Sequence, residues 1–127
     1  MFVAMTGKDS LGMSLQRLLK GADMALGRPV GDAAWNELAR IIEVENAVLD
    51  AQVGVEGLDV MRARVVADAE CIRASIVAAR ALKGSAVANA QRRTVRFCRG
   101  MRSEVERLTF ALQAQRSPDP RNAAPER

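Results

Sequence analysis

The chain contains no histidine and no tyrosine, and only one tryptophan, three phenylalanines and two cysteines in 127 residues. Without histidine, neither a Ser/His nor a Cys/His nucleophile can be assembled, and an ordinary zinc site loses its commonest ligand. Cys71 and Cys98 stand singly, with no CxxC pair, and read as two small buried hydrophobes in a reducing compartment. No apolar run approaches the ~18 residues of a membrane span. Met1–Gly7 lacks the charged start and long apolar stretch of a secretory signal. These absences point to a cytoplasmic protein. There is no Asn-Gly or Asp-Gly hairpin signal and little alternation of strand formers, which argues against β-structure. No Gly-rich phosphate loop occurs. Glu43/Glu45 and Asp68/Glu70 are two residues apart and diverge on a helix, so neither pair forms a joint acid. Catalytic, cofactor and metal residues are therefore all read as none, and the protein as not an enzyme.

What the chain has instead is helical periodicity. Leu58, Met61, Val65, Ala69, Ile72, Ile76, Ala79, Val87, Ala90, Thr94, Met101, Val105, Leu108 and Leu112 fall on one stripe at about 100° per residue. Lys83 interrupts it beside Gly84-Ser85, but the phase survives. The sequence favours one helix of about 80 Å from Leu58 to Leu112, with two half-length helices as the alternative. A continuous helix would hold the two cysteines about 40 Å apart and forbid a disulfide. Upstream, Ser10 is a candidate N-cap for a helix through Leu11, Leu15, Leu18, Leu19, Ala22 and Leu26. Gly27-Arg28-Pro29-Val30-Gly31 breaks it. Asp32 then caps a second helix through Trp35, Leu38, Ile41, Ile42, Glu45, Val48 and Leu49, and Gly54–Gly57 is a short turn. Met1–Asp9 reads as a loose start.

The expected fold is all-α. It is an elongated antiparallel bundle over residues 1–116, two shorter helices packed on one long C-terminal helix with Gly84 the place for a kink or break. Residues 117–127, rich in Pro, Ala and charge, are expected to be a disordered tail. Laid end to end, the two short helices fall short of 80 Å, so part of the apolar seam is expected to stand bare for a partner.

Charge is uneven. The net charge is +4, and up to Lys83 acids and bases nearly balance. Between Gly84 and Arg116 seven arginines (Arg92, Arg93, Arg96, Arg99, Arg102, Arg107, Arg116) face only Glu104 and Glu106. Arg92, Arg96, Arg99 and Arg107 lie about 120° or more from the stripe. Three readings stand: a solvated face, contact with an acidic protein surface, or binding of nucleic-acid phosphates. Against the last, no aromatic residues interleave the arginines and no helix-turn-helix spacing occurs. Phe110 also points to the basic side, and Phe97 lies at the margin of the stripe.

Several segments carry a resemblance. They are Leu15-Gln16-Arg17-Leu18-Leu19 followed by Ala25-Leu26, Trp35-Asn36-Glu37-Leu38, Glu45-Asn46-Ala47-Val48-Leu49-Asp50, and Ala88-Asn89-Ala90-Gln91-Arg92-Arg93-Thr94-Val95. With two short helices before a long one, the chain resembles the FlgN-type flagellar export chaperones. The resemblance implies a cytoplasmic escort that binds C-terminal segments of hook–filament junction proteins through its last helix and delivers them to the type III export gate. Carried onto this chain, the partner-binding residues are Val95, Cys98, Met101, Val105, Leu108 and Leu112, with Arg92, Arg96, Arg99 and Phe110 as a rim. On this reading Met101→Asp abolishes binding and leaves the upstream helices folded. Two alternatives remain: a structural adaptor of a phage or secretion apparatus whose seam holds a homo-oligomer, and a basic helical nucleic-acid-binding protein.

Overall fold

Pro29 and Gly84 mark two of the places where the helical chain must stop. The computed structural model describes residues 7–52 and 57–116, and among these every regular element is a helix. They are α1 (Gly7–Leu26), α2 (Ala33–Asp50), α3 (Asp59–Ala79) and α4 (Ser85–Arg116). The expected tail, residues 117–127, and most of the Gly54–Gly57 turn lie outside the described residues.

Local chemistry sets most boundaries. Asp32 caps α2 as its sequence position suggests, its carboxylate accepting the Ala34 amide at 2.9 Å. Ser10 does not cap α1, which already begins at Gly7. Its hydroxyl instead accepts from the Gln52 side chain at 3.3 Å, linking the start of α1 to the end of α2. Gly21 is a notch rather than a mere weakness. A Cβ there would come within 3.1 Å of Ile41 and 3.2 Å of Leu38, so its absence lets α1 and α2 approach closely.

The main departure from the sequence reading is at the end of α3. The apolar stripe does not belong to one helix. After Ala79 the chain unwinds through i→i+3 bonds from the Arg80, Ala81 and Leu82 amides to Val77, Ala78 and Ala79, each 3.2 Å. Gly84 then takes a left-handed φ of 68°, which an L side chain adopts only with strain. The Val87 amide bonds Gly84 O at 3.1 Å as α4 begins. The chain has doubled back.

Magnitudes explain why reversal wins. Interrupting the helix forfeits a few backbone hydrogen bonds, each about 1 kcal/mol net. Burying Ile72, Ile76, Met101, Val105, Leu108 and Leu112 returns about 1.5–3 kcal/mol per side chain, which a bare rod would not gain. All six are at most 3% exposed.

Each helix packs on two neighbours, so the ring runs α1–α2–α3–α4 and back to α1. Cross-links show that α1–α2, α2–α3 and α3–α4 are each antiparallel, which sets α4 antiparallel to α1 as well. Arg17 meets Glu45 at 3.4 Å while Ser10 meets Gln52; Asn46 donates to Val66 O at 3.2 Å while Arg80 reaches Asn36 at 2.7 Å. Arg64 lies 3.8 Å from Glu104 while Gly57 sits beside Gln115. The result is an up-down-up-down four-helix bundle. Its core takes Leu11, Leu15 and Leu18 from α1, Trp35, Leu38, Ile42 and Leu49 from α2, and the stripe residues from α3 and α4.

Two charged side chains are drawn inside. Glu45 is buried against Arg17. Arg62 is buried with its guanidinium donating at 2.9 Å to Leu49 O, a carbonyl at the end of α2 that also accepts the Gln52 amide at 3.1 Å.

Candidate interaction site

The six residues expected to receive a partner are placed by the fold itself. Cys98, Met101, Val105 and Leu108 are wholly buried, and Leu112 is 2% exposed. They form the core between α4 and its neighbours, so they are not a vacant seam and no client helix can lie on them while the bundle is closed. Val95 alone is half-buried at the surface. Phe110 is 75% exposed, on the outer side of α4 toward its C-terminal end, away from Arg92 and Arg96. Phe97 is 36% exposed.

The three rim arginines do come together, with Val95 from the expected partner-binding set and with Arg28, Pro29 and Val30, which were read from the sequence only as a helix break. A cleft of about 520 Å³ opens between the α1–α2 connection and the N-terminal half of α4. One wall is Arg28, Pro29 and Val30. The other is Ala88, Gln91, Arg92, Val95, Arg96 and Arg99. The connection is firmly held. The Trp35 indole, itself wholly buried, donates to Arg28 O at 2.9 Å. The Arg28 amide bonds Ala25 O at 2.9 Å, the Asp32 amide bonds Pro29 O at 2.8 Å, and Val30 tucks into the core cluster. The only tryptophan thus fixes the backbone from which Arg28 projects.

The cleft is electrostatically unbalanced. Elsewhere, most arginines are matched: Arg40 with Glu37, Arg62 with Asp59 at 3.5 Å, Arg73 with Glu70, Arg107 with Glu104 at 3.7 Å, and Arg102 with both Asp23 and, at 3.2 Å, Glu106, while Arg80 bonds the neutral Asn36 side chain and Arg93 meets no carboxylate among the described residues. Among the described residues no carboxylate pairs with Arg28, Arg92, Arg96 or Arg99, and Arg92 bonds only the neutral Asn89 side chain. The nearby acids are committed elsewhere, Asp23 to Arg102 and Asp32 to the cap of α2. Four cations therefore face one concavity with no counter-charge, over a floor that Val30, Val95 and Ala88 make partly apolar.

The remaining thiols and acids lie apart from the cleft's lining. Burial, reinforced by the charge of Asp23 and opposed by Arg102, pushes the Cys98 thiol up to about 12, so it stays protonated near neutrality. Cys71, contrary to the expectation of a buried hydrophobe, is exposed, and both thiols are free. Asp68 is raised from the ordinary carboxylate value by burial and by Glu104, with Arg64 opposing. Among the described residues, no cluster of three His, Cys, Asp or Glu side chains is placed to hold a metal, and no helix is long and apolar enough to cross a membrane.

No family model, curated protein or solved structure matches this chain.

Proposed function

We propose that this protein is a non-enzymatic binding module of the escort type, acting in the cytoplasm, which holds an acidic segment of a protein client at the arginine-lined cleft. The observation that carries this reading is the convergence on one cleft of four arginines without carboxylate partners among the described residues, where seven others are ion-paired. Leaving cations unneutralised beside an apolar floor costs the free protein self-repulsion, and a partner bringing carboxylates removes it. The sequence resemblance described above supports the kind of client, an exported flagellar hook–filament junction protein. The contact surface differs from the one the apolar stripe suggested. It is the outer, basic side of α4 together with the α1–α2 connection, because the inner side is already core.

Calorimetric titration with C-terminal segments of hook–filament junction proteins, at ~150 mM salt to suppress loose electrostatic binding, tests this reading. One-to-one binding that weakens with added salt supports it. No binding by any such segment contradicts the flagellar assignment.

A further inference from the structure

Resting on the escort reading, we propose that the cleft is a helix-binding site whose ligand is an acidic amphipathic segment of another protein, with carboxylates three to four residues apart. Arg92, Arg96 and Arg99 follow the i, i+4, i+7 spacing of one helix and line the same wall. They form a row about 10 Å long. Arg28 stands on the opposite wall, its backbone clamped by Trp35. A ligand helix laid between the walls repeats carboxylates every 5–6 Å along one face, close to the spacing of the row. Its small aliphatic residues then meet Val30 and Val95. Guanidinium groups suit this pairing, since each takes a carboxylate through two parallel N–H donors.

The geometry favours this occupant over others. Nucleic acid would leave the apolar floor unused and would find no aromatic side chain lining the cleft on which to stack a base. The chain's own residues 117–127 balance Asp119 and Glu126 against Arg121 and Arg127, and they follow Arg116, at the far end of α4 from the cleft.

The test uses a fluorescein-labelled helical peptide of about 20 residues with Glu at i, i+4 and i+7 and Val between, a scrambled peptide of the same composition, and a labelled DNA duplex of about 20 base pairs. Anisotropy is read at ~150 mM NaCl with the full chain. Arg28→Glu and Arg96→Glu alter exposed side chains and are checked by circular dichroism; Lys20→Glu on α1 is the matched charge control. The in-phase peptide is expected to bind at least about fivefold tighter than the scrambled one, with each cleft variant weakening it about tenfold and Lys20→Glu less than about twofold. Equal binding of both peptides, equal loss in Lys20→Glu, or tighter binding of the duplex overturns the proposal. So does a concentration-dependent dimer abolished by Arg96→Glu, since the occupant would then be a second copy. The two readings fail separately. Junction segments that bind regardless of Arg28→Glu and Arg96→Glu sink the cleft and leave the escort standing; an in-phase peptide that binds where junction segments do not has the reverse meaning.

Discussion

Gly84 carries the turn from α3 to α4 in a backbone conformation that alanine adopts only at a cost of about 1–2 kcal/mol. No neighbour crowds the position, so the effect of Gly84→Ala is a backbone effect alone. In a continuous exposed helix the same substitution would stabilise by about 1 kcal/mol. Urea denaturation is therefore expected to show Gly84→Ala as the less stable protein, and a rise in midpoint would contradict the turn. The two cysteines give a second residue-scale test. Ellman's reagent at pH 8 is expected to label one thiol rapidly, Cys71, and the second only once denaturant is added, because Cys98 is wholly buried. Rapid reaction of both would show α4 detached at that level. The same burial has a pH consequence. The folded protein keeps the Cys98 proton up to about pH 12, whereas the unfolded chain releases it from about 9, so this group makes stability fall as pH rises through that interval.

At the scale of the helix, α4 is the element whose meaning changed most between sequence and structure. Met101→Asp places a carboxylate in the wholly buried core, at a cost of several kcal/mol in a domain whose total stability is of order 5–15. It is expected to abolish the cooperative thermal transition of the whole bundle, and a variant that melts normally while losing only partner affinity would restore the open-seam reading. Trp35→Phe acts on the α1–α2 connection. It removes the indole hydrogen bond to Arg28 O, at about 1–2 kcal/mol. Helix content should persist by circular dichroism while affinity for the acidic peptide drops. Most of what is inside was legible from periodicity: Leu58, Val65, Ala69, Ile72, Ile76, Thr94, Met101, Val105, Leu108 and Leu112 are all buried. What covers them was not legible. The reversal at Arg80–Gly84 happens to preserve the phase of the stripe, so a periodicity that ignores chain direction reads two antiparallel helices as one. Pro, with its fixed geometry, announced the first break; Gly84, compatible with helix as well as turn, left the last one open.

At the scale of the molecule, closing the ring of four helices buries the stripe residues internally, so the proposed recognition rests on the arginine-lined cleft instead. The row Arg92, Arg96 and Arg99 was visible from spacing within one helix. Arg28 was not, because its approach to α4 is a tertiary fact set by the Trp35 anchor and by α1 running antiparallel to α4. Core and cleft alike depend on the chain doubling back at Gly84, and a long-range distance reports it most directly. Arg64 on α3 and Arg107 on α4 both reach the same carboxylate oxygen of Glu104. Spin labels placed at Arg64→Cys and Arg107→Cys, with Cys71 and Cys98 replaced by Ser and Ala, can be measured by double electron–electron resonance. The folded bundle predicts a separation of roughly 20 Å, one interhelical spacing plus the label arms. A distribution centred near the ~65 Å of an unbroken helix would contradict it.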